Sequence, residues 1–412
     1  MKVLVIGYVW PEPNSSAAGS RMMQLLETFV NQQWQVDFAS PAQHSDHQAD
    51  LATLDINSHA IELNCDSFDR FIQDLAPQIV IFDRFMMEEQ FGWRVEKNVP
   101  DALRVLNTED LHSLRDARHQ AVKQERPFRD EDLHTELAVR EIAAIFRSDL
   151  TLMISAVETE LLQQRFHVPK RQLMTLPFML ASISDSSYKA RLAYDQRHHF
   201  ISIGNFRHAP NWDAVLQLKQ HIWPAIHRQL PNTQLHIYGA YPPPKATQLH
   251  NPKQGFFVKG WAEDAKSVIQ QARVLLAPLR FGAGLKGKLV EAMQVGTPSI
   301  TTPIGAEGIA DSESWSGAVC FNTQAFIHEA IRIYQEEVLW LKAQATGDRL
   351  IQSNFSKEVH QERLIQRLIN QYEDRYVIRK QSFFNQMLRH HSLKSTQYMS
   401  QWIEIKNKTV TD

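Results

Sequence analysis

VLLAPLRFGAGLKGKLVEAMQVGTPSITT, residues 274–302, decides how the rest of the chain is read. The apolar run that ends at Pro278 has the composition of a buried strand. A Gly-rich loop follows at 281–288 (FGAGLKGK), then a short helix carrying Glu291, then a second strand after Gly296. Glycines at a strand-to-helix turn let backbone come close to a ligand, and the free N–H groups of a helix N-terminus attract an anion. Lys286 and Lys288 add positive charge there, and Glu291 falls about one turn beyond Lys288 on roughly the same helix face. Phosphate at the loop and a hydroxyl-bearing group at the carboxylate suit a nucleotide-sugar. A purely structural strand–turn–helix has the same spacing, so the loop alone leaves both readings open.

Working outward from this segment, strand-like and helical stretches alternate. Residues 2–8 read as a buried strand, followed by a small-residue loop at 14–19 and a helix with Met22, Leu25, Leu26 and Phe29 on one face. Further strands are expected at 35–39, 79–82, 103–106 and 150–154. Ser155 and Glu158 have capping-box spacing, which places a helix start after the last of these. Such alternation implies a mainly parallel sheet covered on both faces. The rhythm breaks over 181–197, a polar, unpatterned linker, and then restarts. A strand at 200–203 ends at Gly204, a helix capped by Asn211 begins at Trp212, and strands follow at 234–238 and 256–258. Beyond Phe355 a long helical pattern rich in Gln, Arg and His runs nearly to the end. The expected architecture is α/β: two doubly wound, Rossmann-like domains (1–182 and 183–355) facing across a cleft, with a C-terminal helical segment at 356–412. Sheets of this kind bind ligands at their carboxyl strand ends.

Bulk properties exclude several classes of function. The 412 residues carry a formal net charge of −2, 43% hydrophobic and 22% charged residues. That balance gives no electrostatic case for nucleic acid or for an anionic membrane, so contact with a membrane is expected to be peripheral at most. Cys65 and Cys320 are the two cysteines, far apart in sequence, which fits a reducing compartment rather than a disulfide framework. The opening MKVLVIGYVW has too short an apolar stretch for a signal peptide, and no run is long enough to span a bilayer. The expected location is the cytoplasm, or the inner face of the cytoplasmic membrane. Composition says nothing about oligomeric state.

The second half resembles the donor-binding domain of the family-4 glycosyltransferases of the GT-B fold, in the subset associated with bacterial polysaccharide and cell-envelope sugars. The stretches that carry the likeness are GNFRHAPNWDA at 204–214, IWP at 222–224, Leu230-Pro231, IYG at 237–239, Gly260 and the whole of 278–308. The resemblance implies a retaining transferase taking a sugar from a nucleotide-diphosphate sugar to a glycan or lipid-linked acceptor, with no cofactor and no metal. It places the donor against Gly204, Phe281, Gly282, Ala283, Gly284 and Leu285, with Glu291 clamping the ribose hydroxyls. A carboxylate accepts hydrogen bonds from two neighbouring hydroxyls, so the chemistry agrees. Two departures stand out. Ala283 occupies the place of the family's first carboxylate, and Asn205 and Asn211 stand where members commonly have Arg and Lys. Arg207, Lys286 and Lys288 are the available substitutes for the diphosphate clamp, Lys288 foremost.

In the first half, Gly19 resembles the glycine of the family's loop facing the donor phosphates. The strand at 103–106 leads into NTEDLHSLR at 107–115, a polar cluster at a carboxyl strand end. Related enzymes often place a His here near the donor sugar, which makes His112 the candidate, with Glu109 and Asp110 beside it. The plain alternative is a capped helix with a solvated His112. Asp83 and Arg84, at another strand end, are read as acceptor contacts or as a surface ion pair.

Other features take structural readings. His44 and His47 have no partner motif for a metal. Asp130 and Asp132 are expected to supply negative charge to the N-terminus of a following helix. The basic run Arg115, Arg118, Lys123, Arg126, Arg129 reads as a solvated helix face. Trp261 is read either as close to a nucleobase or as domain packing. Phe383, Phe384, Met387 and Trp402 are expected to be core contacts of a tail that crosses back to the first domain. The implied chemistry places the leaving diphosphate's charge on lysines and a helix N-terminus within a closing cleft. Two other readings stay open: a nucleotide-sugar epimerase or hydrolase on the same architecture, and a non-catalytic scaffold.

Overall fold

Apolar runs along the strands alternate between two opposite faces, and each face is covered. In β1 (Lys2–Ile6), Val3 and Val5 join one buried cluster while Leu4 and Ile6 join another on the opposite side. Burial on both faces explains why these strands read as continuous apolar runs instead of as alternating ones. The structure, a computed structural model, describes residues 1–410 apart from the side chains at 187, 391–393, 409 and 410; residues 411–412 of the expected tail lie outside the described residues.

The first sheet contains β1, β2 (Gln35–Ser40), β3 (Asn57–Ala60), β4 (Ile79–Asp83), β5 (Leu103–Glu109), β6 (Leu150–Met153) and β7 (Leu173–Thr175). Its order is β3-β2-β1-β4-β5-β6-β7, with every pair parallel. The second contains β8 (His198–Ile203), β9 (Leu235–Tyr238), β10 (Phe256–Gly260), β11 (Ala272–Ala277), β12 (Ser299–Thr301) and β13 (Gly317–Val319), in the order β10-β9-β8-β11-β12-β13, again all parallel. Strand order reverses between β1 and β4 and between β8 and β11. A crevice opens at each reversal, at the carboxyl ends of the strands. The two crevices face each other.

Short strands β3, β7 and β13 were not legible: NSHA, LMT and GAV are too brief and too polar or small to carry a period. Two helix starts differ from expectation. The helix Ala17–Asn31 begins inside the small-residue loop, capped by Ser16, so Gly19 sits in its first turn. A Cβ on Gly19 would clash with the Glu12 backbone, so the glycine allows a loop to lie on the helix. The helix Ala209–Gln217 starts at His208, not at Asn211, because Pro210 is pre-set for a first helical turn. The expected capping box at Ser155 does not form: Ser155 makes no side-chain cap, and Glu158 points elsewhere.

The tail is three helices: Lys357–Glu373, Arg375–Gln381 and Phe383–Val410. Leu364, Ile365 and Leu368 of the first join the core of the N-terminal sheet. Where the chain crosses between domains its two strands of backbone meet, Leu180 N–H donating to Phe355 O (2.7 Å) and Lys357 N–H to Leu180 O (2.9 Å). The aromatic side chains of the last helix do not enter a core. Phe383, Phe384, Met387 and Trp402 are all exposed, because the helix buries the opposite face, at Asn385 and Ser400.

Candidate functional site

The facing crevices form one cavity of about 840 Å³ between the domains. The C-terminal wall follows from the local sequence. β11 ends at Ala277, the chain turns through Phe281–Leu285, and the helix Gly287–Gln294 begins. Gly284 has φ of +63°, and a Cβ there would lie 2.8 Å from Asp110 Cβ of the other domain. Both facts call for glycine. A Cβ on Gly287 would meet Ala17 in the same way. The glycine loop therefore serves domain contact as well as any ligand.

Lys288 donates from Nζ to Asn211 Oδ1 at 2.7 Å, so the asparagine expected as a helix cap holds the lysine instead. Burial lowers the Lys288 ammonium to about 8, only partly offset by Glu291. Glu291 is pushed up by burial against the opposing pull of Lys266 and Lys288. Lys286 turns inward: Nζ donates to Gly284 O at 2.7 Å, and burial lowers it although Glu307 and Glu158 are near. Its ammonium is engaged within the loop, at the wall of the cavity. Arg207 lies over the Tyr241 ring, 3.7 Å from the centroid, at the cavity's edge. Gly204 comes close to Asn211 and Lys288, with no room for a side chain. Phe281 and Leu285 are buried; Phe281 stacks on His119 at 4.3 Å, a contact between domains.

The N-terminal wall comes from strand ends far apart in sequence. Asp83 ends β4, and Glu109 ends β5 with φ of +62°. The pair of Asp83 with Arg84 is not a solvated surface pair: Asp83 is buried, as is Glu109, and burial raises both carboxyls. Arg84 (φ +71°) lies 4.0 Å from Asp83 and over the Tyr8 ring. The fully buried Arg21 ties the set together, donating to Asn107 Oδ1, to Glu109 Oε1 (3.0 Å) and to Leu176 O (3.0 Å). Asn107 donates to Asp83 (3.0 Å) and Glu109 (2.7 Å).

Burial opposes ionisation of Asp110, but Arg115 and His112 outweigh it and hold the carboxyl well below the usual range. His112 Nε2 is 3.6 Å from Asp110, and burial lowers the imidazole to about 4, so it is neutral near pH 7. Glu141 sits beneath, accepting from the backbone N–H groups of His112 and Ser113 at 2.9 Å and fixing the start of the helix His112–Lys123. His112 is thus a largely buried wall residue, not a solvated cap.

All the sequence-predicted site residues line this one cavity: Gly19, Asp83, Arg84, Glu109, Asp110 and His112 from one side, Gly204, Arg207, residues 281–286, Lys288 and Glu291 from the other. Other residues escaped the sequence reading. Glu158 is fully buried and spans the domains, accepting from Leu111 N–H at 3.1 Å and from Gly284 N–H. Burial and the Asp110 carboxylate push it up to about 8. Nothing in its spacing hinted at this, since it read as a capping partner. Arg21 was detectable: it lies four residues before Leu25 on that helix's apolar face, where a charge demands a buried partner. Arg118 belongs to no solvated face. It donates to Glu307 (2.7 Å to each oxygen) and to Gly282 O (2.8 Å) in the other domain. Trp261 makes a domain contact, donating to Asn14 O and stacking on His47, and also lines the cavity. Arg126 pairs with Asp132, and the following helix takes Thr135 as its cap instead. Among the described residues no group of three or more His, Cys, Asp or Glu is placed to hold a metal ion, and no helix is long and apolar enough to cross a membrane.

Residues 197–336 match the family described as Glycosyl transferases group 1. No curated protein matches the chain by sequence. Solved structures match over both domains. A mutant of S. aureus TarM, in complex with Fondaparinux, alpha-GlcNAc-glycerol and UDP, superposes with TM-score 0.68 at 10% identity over 90% of this chain and 99% of its own. Anabaena HepE, in complex with UDP and glucose, gives 0.63 at 12% identity over 89% and 99%. WaaG, a glycosyltransferase involved in lipopolysaccharide biosynthesis, gives 0.60 at 14% identity over 87% and 98%. At these identities the likeness shows the fold: the two sheets and the helical tail form a GT-B architecture.

Proposed function

We propose that this protein is a retaining glycosyltransferase that takes a sugar from a nucleotide-diphosphate sugar and passes it to a glycan or lipid-linked acceptor in polysaccharide or cell-envelope synthesis. The observation that carries this reading is the opposition of two walls. Lys288 and Glu291, on successive turns of one helix start, face the Asp110–His112 edge across a cavity that the glycine loop closes. The match of 197–336 supports the reaction class. The UDP-bound TarM and HepE complexes support the donor class, and the role given for WaaG supports an envelope acceptor. A family-4 affiliation and a cytoplasmic location belong to the same proposal.

In this reading the diphosphate lies at the N-terminus of the helix Gly287–Gln294, beside Lys288, and Glu291 accepts from the ribose hydroxyls. The anomeric C–O bond to the diphosphate breaks, and the acceptor oxygen forms the new bond on the same face of the sugar. The acceptor's proton passes to the departing phosphate oxygen. Lys288 becomes fully charged as the leaving group's negative charge develops beside it. His112, neutral, offers one ring nitrogen to the donor sugar without repelling positive charge on the anomeric carbon. Asp83, Arg84 and Glu109 take acceptor hydroxyls. Transfer is metal-independent in this proposal, so EDTA is expected to leave turnover unchanged.

The test is thermal denaturation with UDP, GDP, ADP, CMP and their sugar conjugates, on the wild type and on Glu291→Ala and Lys288→Ala. A bound nucleotide at a hundredfold excess over its dissociation constant should add about 2.7 kcal/mol. Stabilisation of the wild type and of neither variant supports the site. A scaffold reading gains from one observation, that Ala283 and the inward Lys286 leave the loop with fewer ligand groups. Absence of stabilisation by every nucleotide would favour it. Conversion of donor to an isomer without acceptor would favour an epimerase.

A further inference from the structure

We propose that the outward face of the last helix, Phe383–Val410, seats the protein on an anionic lipid bilayer surface. The helix buries one side against the N-terminal domain. Asn385 donates to Phe146 O (2.9 Å) and Arg147 O (3.0 Å), Arg389 pairs with Glu96, Ser400 donates to Asn64 at 3.0 Å, and Glu404 pairs with Arg94. At 100° per residue these anchors share a single half of the helix. On the other half stand Phe383, Phe384, Met387, Tyr398, Met399, Trp402 and Ile405, between 38% and 73% exposed. From Phe383 to Ile405 the stripe runs roughly 33 Å at 1.5 Å per residue, comparable to the width of a small domain.

Charge selects the occupant. Glu404 is the one acid in 383–410, and its carboxylate is turned inward to Arg94. Lysines flank the apolar stripe: Lys394 near its middle, and Lys406 over the Trp402 ring at 5.3 Å. Lys97, beside Lys394 in the groove between this helix and the helix Phe85–Asn98, is paired with Asp69 at 3.1 Å, so the cationic border rests on Lys394 and Lys406. An apolar, aromatic stripe edged by lysines and free of outward acids is the composition of a helix lying in the plane of a bilayer. Trp and Tyr sit at headgroup depth, and lysine stems reach past apolar neighbours to anionic phosphates. The whole chain's charge of −2 hid this: the positive charge is local. A second copy of the chain would meet the same lysines, like against like.

The test is co-sedimentation of the full chain with mixed phosphatidylcholine–phosphatidylglycerol vesicles and with pure phosphatidylcholine vesicles. The expected result is binding to the mixed vesicles that weakens with added salt, and much weaker binding to the neutral ones. Phe384→Glu with Trp402→Glu should lower the partition coefficient on the order of a hundredfold, roughly tenfold for each large side chain withdrawn from the interface. Phe321→Glu, at a still more exposed aromatic of the other domain, should leave binding unchanged. Circular dichroism melts check that each variant folds. The proposal is overturned if the wild type ignores anionic vesicles, if the double variant binds as well as the wild type, or if light scattering finds a dimer that the double variant dissociates. None of these outcomes depends on sugar transfer.

Discussion

Two walls of one cavity are built by opposite strategies. The C-terminal wall is consecutive: residues 281–291 supply loop, helix start, lysine and carboxylate within about three turns' length of chain. The N-terminal wall is assembled from the ends of β4 and β5 and the helix starts that follow β1, β5 and β6, and it is held by buried charge. A local wall tolerates changes elsewhere in its domain. A distributed wall depends on the partners that keep each carboxylate in place.

The largest expected effect follows from that dependence. Arg21→Met removes the cation shared by Asn107, Glu109 and Leu176 O, all of them buried. Glu109 must then carry an uncompensated charge or take up a proton, at a cost of roughly 3–5 kcal/mol. Urea denaturation should show this loss. A change under about 1 kcal/mol would mean that the wall does not rest on this pair, and the contrast between the two strategies would fail. Lys288→Met should do the reverse, leaving stability nearly intact while weakening nucleotide binding on the order of a hundredfold. Its pH signature is specific. With Lys288 at about 8 in the empty cleft, binding a diphosphate above that pH requires proton uptake. Wild-type affinity should therefore fall by up to about tenfold per pH unit above 8, while the variant's stays flat. Calorimetry across that range reads both.

What could be read from sequence tracks the same division. The parallel sheets showed because strands buried on both faces are unbroken apolar runs, and the glycine loop showed because its chemistry is contiguous. Asp83, Glu109, Asp110 and His112 could be nominated, since carboxyl strand ends are where such sheets bind. Their burial and their mutual partners could not be seen, because Arg21, Glu141 and Glu158 reach them from other elements. The tail misled for a related reason. An aromatic stripe at helical spacing marks an apolar face but not which way it points, and the polar anchors Asn385 and Ser400 decided that here.

Proton linkage sharpens the comparison at a smaller scale. Burial raises Glu141 to about 7 and Glu158 to about 8, both in the N-terminal wall. A carboxyl raised on folding contributes stability that is complete below its unfolded value, near 4.5, and is lost as pH rises through its folded one. Burial lowers His112 to about 4 and His199 to about 3, so their contribution is complete above 6.5 and is lost on acidification below it. Between pH 6.5 and 8 the carboxyls act without that opposition. Stability should fall there by at most about 1.4 kcal/mol per pH unit for each proton, and Glu158→Gln should flatten part of the slope. An unchanged slope in Glu158→Gln would mean that the N–H groups of Gly284 and Leu111 keep Glu158 ionised.

The smallest effect tests whether the walls meet independently of the glycine loop. Tyr241 O–H donates to Glu12 Oε1 at 3.1 Å and Oε2 at 3.2 Å, joining the domains at a point separate from the Arg118–Glu307 pair. Tyr241→Phe removes the hydroxyl's hydrogen bonding to Glu12 and Ser45, while the ring keeps its contacts with Arg207 and His47. A hydrogen bond to a carboxylate at a partly solvated seam contributes about 1 kcal/mol net. If nucleotide binds the closed arrangement preferentially, its affinity should fall about fivefold through a shift toward open molecules, with no change in the site itself. Titration calorimetry measures the affinity, and small-angle scattering of the free protein measures the opening. A more open free protein with unaltered affinity would show that the donor is held by the consecutive wall alone. An unaltered shape would place closure with Arg118, Glu307 and the packing of Gly284 on Asp110, where the distributed wall and the local one touch.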